Sequence, residues 1–243
     1  HRARPGRCRR PIVRHTMSLR AIIDKSLGDR PAAKGRIRQR QEGAILKAAE
    51  KVFARAGYQG ATLNEIAETA GVPKPTLHYY FSSKEALYRA VLDNILALWL
   101  AETDTLTVDS DPAAALEHYV RAKMRLSAER PDASRVFANE ILHGAGHIGD
   151  FLRSELRELV RDRADVIARW VADGRIAPVD GTHLFFTLWA ATQTYADFDS
   201  QICALLGKAR QTAADHARAT DHVLTVVMRT CGLPWPRTDV PPT

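Results

Sequence analysis

The sequence predicts an all-α protein. Apolar side chains recur at the spacing of one helix face, first at Ile45, Ala49, Val52 and Phe53. No segment between 112 and 231 shows the apolar–polar alternation of a half-buried strand. Prolines, glycines and capping sequences separate the helical stretches, as expected for helices joined by short turns.

Residues 34–92 are predicted to contain a helix-turn-helix unit. A first helix begins near Arg40 and ends at Gly57. The sequence 62-TLNE-65 is a capping box, in which the threonine caps and the glutamate reaches back, and it opens a second helix. After a glycine turn, Pro75 occupies the first position of a brief third helix. Two short helices joined by such a turn, behind a longer helix, form the motif.

A second capping box, 82-SSKE-85, is predicted to open a longer helix that reaches about Leu100. Residues 93–231 are predicted to form a second domain built of helices. The stretch 199–211 fits no clear pattern, and the proline-rich tail 232–243 is predicted to be loose. The predicted helices beyond 110 begin at Pro112 or cover 132–144, 150–172, 182–198 and 212–231.

Residues 1–33 lack helical periodicity and the apolar centre of a signal peptide. Two interpretations remain open for the arginine-rich run 1–16. It is either a disordered basic arm that adds non-specific DNA affinity, or extra sequence upstream of a start at Met17.

The positive charge is confined to one part of the chain. The formal net charge is +7, yet residues 34–90 hold ten basic and five acidic residues, whereas residues 91–243 hold 16 basic and 21 acidic residues. This division predicts an anionic partner for the N-terminal part only. The distant cysteines Cys8, Cys203 and Cys231 and the lack of an apolar run of about 20 residues predict a cytoplasmic protein that does not enter a membrane.

The segment 74-KPTLHYYFSSKEAL-87 places polar and aromatic donors together. On the third helix Leu77 and Phe81 face inward, so the neighbouring polar side chains are left outside. Hydroxyl, imidazole and ammonium donors in one patch suit phosphate oxygens. The donors of this patch are Thr76, His78, Tyr79, Tyr80 and Lys84.

The segment 45–92 resembles the DNA-binding domain of TetR-family transcriptional regulators at most family positions, including Phe53, Gly57, Gly71 and the pair Tyr80-Phe81. The resemblance implies that Lys84 contacts a phosphate and that Lys74, Thr76 and His78 read bases in the major groove. It implies that operator DNA faces Thr62, Leu63, Asn64, Lys74, Pro75, Thr76, His78, Tyr79 and Tyr80.

The C-terminal part resembles the regulators of pyrimidine utilisation within this family. The similar stretches are 95-ILALWL-100, 130-RPDASRVFANEILHGA-145, 168-ARWVADGRIAPVDGTHLFF-186 and 188-LWAATQTYADF-198. The resemblance implies a homodimer that responds to an effector such as uracil or thymine. Helices 182–198 and 212–231 carry apolar residues on more than one face, which agrees with packing against a second subunit.

Trp189, Gln193 and Asp197 are spaced four apart and form one stripe on an apolar helix. A ring for stacking and an amide that donates and accepts suit a nucleobase, although these groups could instead bond to other helices. Asn139 and His143 are further effector candidates with the same alternative. Trp99 is either a lever that responds to the effector or part of the core.

No nucleophile motif, phosphate-binding loop or cofactor fingerprint occurs, so an enzyme is not predicted. Glu140, His143 and His147 have a spacing that could suit a metal on a continuous helix, but Gly144 and Gly146 interrupt it. No metal or cofactor is therefore expected.

Together these patterns predict a dimeric, ligand-responsive DNA-binding regulator, a repressor that an effector releases through the helix 83–100. Two alternatives stay open. The first is a family member that controls an efflux or other catabolic operon and senses a more hydrophobic metabolite. The second, from another class, is a helical small-molecule-binding protein or enzyme without DNA binding.

Overall fold

A computed structural model of the chain describes residues 34–236, with side chains from Arg38 onward; the interpretations of residues 1–33 and 237–243 lie outside this range. The described residues form helices and no strand, as the all-α prediction requires. The helices are α1 (Lys34–Gly60), α2 (Leu63–Ala70), α3 (Lys74–Tyr80), α4 (Lys84–Ala101), α5 (Pro112–Glu129), α6 (Pro131–Leu142), α7 (Arg157–Ala172), α8 (Gly181–Asp197), α9 (Asp199–Leu206) and α10 (Ala213–Thr230).

The helix ends of the N-terminal unit follow from local chemistry, with two corrections. Gly57 adopts φ 66° and kinks α1, which continues to Gly60. Thr62 caps α2 by accepting the Glu65 N–H at 3.2 Å, but the Glu65 carboxylate pairs with Arg55 on α1 and does not reach back. The cap of α4 is Ser83, which accepts the Ala86 N–H at 3.0 Å, so the predicted box starting one residue earlier is wrong.

The C-terminal helices match the predicted order, with additions. Residues 199–211, which had no clear assignment, contain α9. A single helical turn, Gly149–Phe151, and a π-helical turn, Leu152–Leu156, precede α7. The start of the tail is packed: Leu233 and Trp235 lie against the core, which contradicts the prediction that the tail is loose from residue 232. Within the described range, no helix combines the length and apolar character needed to cross a bilayer.

Two apolar cores hold the chain together, and the boundary between them does not follow the sequence. The first core contains buried residues of α1 to α4 together with Ala133 and Val136 of α6. The second core joins α5, α7, α8 and α10 around Trp170 and Tyr119. Helix α6 therefore packs with the helix-turn-helix unit although it follows α5 in the sequence.

An ion pair fixes α6 to α1. Glu50 of α1 is 4% exposed, and Arg130 lies at the corner between α5 and α6. The guanidinium donates to both carboxylate oxygens, at 3.2 and 2.6 Å. A bidentate pair of this kind is geometrically specific, so it sets the position of the α5–α6 corner on the first helix.

We expect Arg130→Met to lower the free energy of unfolding by about 3 kcal/mol, because it leaves the Glu50 carboxylate buried without its cation. Adding Glu50→Gln should recover a large part of the loss. Arg153→Met, which breaks the exposed pair with Asp150, is the control and should change the value by less than about 1 kcal/mol. Urea unfolding at fixed protein concentration measures all four proteins. Equal losses in the Arg130 and Arg153 variants would contradict the assigned role.

Candidate DNA-binding surface and effector site

Helix α3 exposes the side chains that were predicted to contact DNA. Leu77 is its buried residue and anchors it in the first core. The Lys74, Pro75 and His78 side chains are exposed and Thr76 is half-buried. At the start of α2, Thr62 and Asn64 are exposed and Leu63 is half-buried against the core. Both helix starts thus leave polar side chains exposed.

The neighbouring tyrosines of α3 differ in their surroundings. Tyr79 is 70% exposed, as a DNA contact would require. The Tyr80 hydroxyl, expected to point outward, donates instead to the Gln41 side chain of α1 at 2.9 Å. The Arg38 guanidinium lies 5.6 Å from the Tyr79 ring centre and 5.8 Å from that of Tyr80. Tyr80 therefore ties α3 to α1, a contact that spans 39 residues and has no local sequence signal.

Lys84 has a different role from the one predicted. Its ammonium donates to the carbonyls of Tyr58, Gln59 and Ala61 at 2.8, 3.3 and 3.1 Å, and it lies 4.7 Å from the Tyr58 ring centre. An ammonium has three donors, so these bonds occupy all of them. Lys84 closes the C-terminal end of α1, and the predicted phosphate contact conflicts with this position.

Asp197 lies in a polar site among α4, α5, α6 and α8. The Ser134 hydroxyl of α6 donates to its carboxylate at 2.6 Å. Burial raises the pKa of Asp197, while Ser134, Arg135 and Lys123 act in the opposite direction. The carboxylate that was predicted to line an effector site is thus partly desolvated and shares its surroundings with a buried lysine.

Lys123 of α5 is the site residue that sequence reasoning missed. It is 3% exposed, and its ammonium lies 4.1 Å from the Trp99 ring centre. Within the described residues the ammonium forms no hydrogen bond and no ion pair. The sequence did carry a signal for its burial: Lys123 lies four residues after Tyr119 and four before Ser127, on the buried face of α5.

The two tryptophans have different surroundings. Trp99 of α4 stacks edge-to-face on Phe137 of α6, with ring centres 4.9 Å apart, and so borders this site. Trp189 belongs to the second core, and its indole N–H donates to the Tyr119 hydroxyl at 2.8 Å. The residues of the α8 stripe thus have different surroundings. Trp189 bonds to Tyr119 through its ring edge, and its stacking role stays a prediction. Gln193 is half-buried, and its amide forms no hydrogen bond to another described residue.

Asn139 and His143 do not join the site. Asn139 lies about 140° around α6 from Ser134 and His143 about 180°, so neither faces Asp197. His143 is exposed, and its ring bonds to the Asn139 carbonyl at 2.7 Å. Both are corrected as effector contacts. Across residues 34–236, no group of three His, Cys, Asp or Glu side chains is placed to hold a metal ion.

Two sequence families match the chain. The family described as bacterial regulatory proteins, tetR family, matches residues 45–91, and the one described as YcdC-like protein, C-terminal region, matches residues 92–234. The chain belongs to the TetR family. It is a ligand-responsive, DNA-binding transcriptional regulator and not an enzyme. Regulators of this family bind operator DNA as dimers and respond to small-molecule effectors.

Among curated relatives, the chain is 42% identical to the HTH-type transcriptional regulator RutR of Escherichia coli strain K12 over 185 residues, which cover 76% of this chain and 87% of RutR. It is 35% identical to the HTH-type transcriptional repressor NicS of Pseudomonas putida over 104 residues, which cover 42% of this chain and 49% of NicS. The similarity to RutR extends over both domains.

Solved structures share the fold. A transcriptional regulator of Streptomyces coelicolor has a TM-score of 0.62 and 24% identity, covering 79% of this chain and 98% of its own. AibR, solved in complex with isovaleryl coenzyme A and operator DNA, has a TM-score of 0.60 and 19% identity, covering 76% of this chain and 97% of its own. At these identities the likeness concerns the arrangement of helices.

We expect Lys123→Met to stabilise the protein in the absence of effector. Burial lowers the pKa of Lys123 from its ordinary 10.5 to about 8, despite the opposing effect of Asp197. A shift of this size disfavours the charged form in the fold by roughly 3 kcal/mol, and the Trp99 contact offsets part of it. The unfolded chain binds the proton more tightly, so stability of the unmodified protein should rise between pH 8 and 10.5.

Urea unfolding from pH 7 to 10.5 tests this expectation. Lys123→Met should lose the rise with pH, whereas Lys51→Met, at an exposed position of α1, should retain it. If the Lys123 variant keeps the same pH slope, its ammonium is not the desolvated group.

Proposed function

We propose that the effector is a pyrimidine base, uracil or thymine, and that it binds beside Lys123. The observation that carries this proposal is a lysine that is 3% exposed, with its ammonium against an aromatic wall and near the Asp197 carboxylate. A buried polar group requires a partner. A ligand carbonyl is an acceptor of the right kind for this ammonium.

The polar groups of the site complement both kinds of edge on a pyrimidine base. Its carbonyl oxygens match the Lys123 ammonium, its N–H groups match the Asp197 carboxylate, and the Gln193 amide can donate or accept. Trp99 and Phe137 supply an apolar wall. The resemblance to regulators of pyrimidine utilisation points to the same ligand class. A purely hydrophobic effector would leave Lys123 and Gln193 without partners, which disfavours the alternative of an efflux regulator.

We propose that the protein is a repressor whose dimer forms through α8 and α10. Phe186 of α8 and Val226 of α10 are 49% and 45% exposed in the single chain, which suits a contact with a second subunit. A two-fold dimer places two copies of α3 in successive major grooves. The effector releases the operator if it binds the DNA-free arrangement more tightly than the DNA-bound one.

The first experiment measures binding to the promoter fragment upstream of the protein's own gene, at fixed salt, with and without uracil or thymine. Specific binding that either base releases supports the effector class, whereas specific binding that ignores both bases rules it out. Equal affinity for this fragment and for random DNA would overturn DNA regulation from this promoter.

Replacing effector-site residues should remove the response to the base. We expect Gln193→Ala and Lys123→Met each to weaken base binding by at least about tenfold, the effect of losing one buried hydrogen bond to a charged or polar group. Gln201→Ala, an exposed glutamine on α9, is the matched control and should behave as the unmodified protein. Isothermal titration calorimetry with uracil measures the affinities. An unchanged response in Gln193→Ala would assign that residue a structural role.

Two variants of α3 should distinguish a residue that reads a base from a residue that contacts a phosphate. We expect Lys74→Ala to weaken operator binding by about 1–3 kcal/mol and to relax base preference, because Lys74 would read a base edge. Tyr79→Phe should weaken operator and random DNA by the same factor, because its exposed hydroxyl would bind phosphate. Fluorescence anisotropy with operator and scrambled duplexes measures both. Lys51→Ala controls for the loss of a charge away from α3.

A further inference from the structure

Residues 143–148, which follow α6, fold back toward the DNA-binding unit; this segment is called the hook. Gly144 has φ 92° and Ala145 has φ 55°, and Ala145 is the non-glycine residue of the described chain with positive φ. Such a backbone is strained and persists where surrounding contacts impose it. The Ala145 N–H donates to the Glu140 carbonyl at 2.8 Å, and Ile148 is buried in the first core. The hook positions His147.

The buried Glu140 side chain fixes the hook by bonding to His147. Its side chain, at the C-terminal end of α6, is 5% exposed. The carboxylate accepts the His147 backbone N–H at 2.7 Å and lies 3.1 Å from the His147 ring nitrogen Nδ1. Burial alone would raise the pKa of Glu140, but the bonds from His147 and the Tyr88 hydroxyl outweigh it and lower the pKa. The carboxylate is thus charged and bonded to both the hook and α4.

The His147 ring packs against two tyrosines of the DNA-binding unit, whose own ring centres lie 4.9 Å apart. Ring centres lie 4.6 Å from Tyr58 near the end of α1 and 4.9 Å from Tyr88 on α4. Arg89 of α4 donates to the His147 carbonyl at 3.1 Å. Tyr58 is also the ring under the Lys84 ammonium. The hook therefore contacts the helix end that Lys84 closes, directly before the helix-turn-helix.

Helix α6 connects this contact to the effector site. Ser134, which bonds Asp197, and Glu140 are six residues apart on the same helix, about 9 Å along its axis. Phe137 lies between them and contacts Trp99. A displacement of α6 at the proposed effector site would therefore also displace the hook.

We propose that Glu140 and His147 form a clasp that transmits effector binding to the DNA-binding unit through α6. This proposal rests on the proposed function only for the position of the effector. The contacts of the clasp with Tyr58, Tyr88 and Arg89 do not depend on which ligand binds. Both are positioning residues: they touch neither DNA nor effector, and they set where α1 and α4 sit relative to α6. The prediction from sequence placed the transmission in α4 alone.

The test uses the full-length chain and the variants Glu140→Gln and His147→Ala. The matched control is His143→Ala, an exposed histidine of the same segment that bonds to its own helix. Calorimetry gives uracil affinity, and anisotropy gives operator affinity with and without uracil. The ratio of the two operator affinities is the coupling factor, typically about 5 to 150 in allosteric proteins. We expect it to fall below about 2 in both clasp variants, with uracil affinity changed by less than about threefold, and to stay unchanged in the control.

A second measurement does not require the effector to be known. Coupling is reciprocal, so operator DNA should slow amide hydrogen exchange in residues 131–142 and 193–197 of the unmodified protein and of His143→Ala. This protection should be lost in His147→Ala and Glu140→Gln at saturating DNA. Tyr88→Phe, which removes the α4 partner of Glu140, should lose part of it.

The outcomes separate the two proposals. If uracil and thymine do not bind but operator DNA protects α6 only in proteins with an intact clasp, the effector identity is wrong and the clasp stands. If the clasp variants keep the full coupling factor, or keep the same DNA-dependent protection as the control, the clasp is wrong. If His147→Ala does not fold, which a lowered melting temperature would show, the isosteric variant Glu140→Gln decides whether the clasp transmits effector binding.

Discussion

The packing of α6 on α1 is the constraint on which the rest of the structure depends. Glu50 and Arg130 hold one end of this contact through a bidentate ion pair, and buried side chains of the first core, Ala133 and Val136, fill the space beside it. Because cores are closely packed and do not deform continuously, α6 and α1 move as one body or change partners. The DNA-binding unit is therefore mechanically joined to the domain that binds the effector.

The proposed effector site differs from the rest of the fold in its polarity. A buried lysine in a helical core opposes stability, and a protein keeps such a group where function requires it. In the proposed site, the desolvated Lys123 ammonium would lower the stability of the protein without ligand and would add binding energy when an acceptor arrives. Under this proposal the same residue makes the surrounding helices responsive, because a bound ligand would remove a free-energy penalty that the unliganded fold carries.

The DNA-binding surface shows a division of labour among its cations and aromatic rings. Lys84 and Arg38 are used inside the protein, one to close α1 and the other to lie beside the tyrosine rings of α3. Tyr80 bonds to α1, and Tyr79 stays exposed. A short helix has few contacts with which to fix its own position, so the neighbouring charged and aromatic side chains supply them. The exposed residues Lys74, His78 and Tyr79 are then held in defined positions on α3.

The sequence by itself determined the all-α class, the helix-turn-helix, the family and most helix ends, because caps, glycines and apolar stripes act over three to eight residues. It also indicated Asp197 and Gln193 as polar positions on an apolar helix. Only the tertiary structure decided that Trp189 bonds to Tyr119, that Lys84 closes α1, that His143 faces away, and that Lys123 lies beside Trp99 and Asp197. Each of these contacts except that of His143 joins residues 20 or more positions apart, where periodicity carries no information about which helices meet. The physical reason is that local patterns fix which face of a helix is buried, whereas the packing of helices against one another fixes what that face touches.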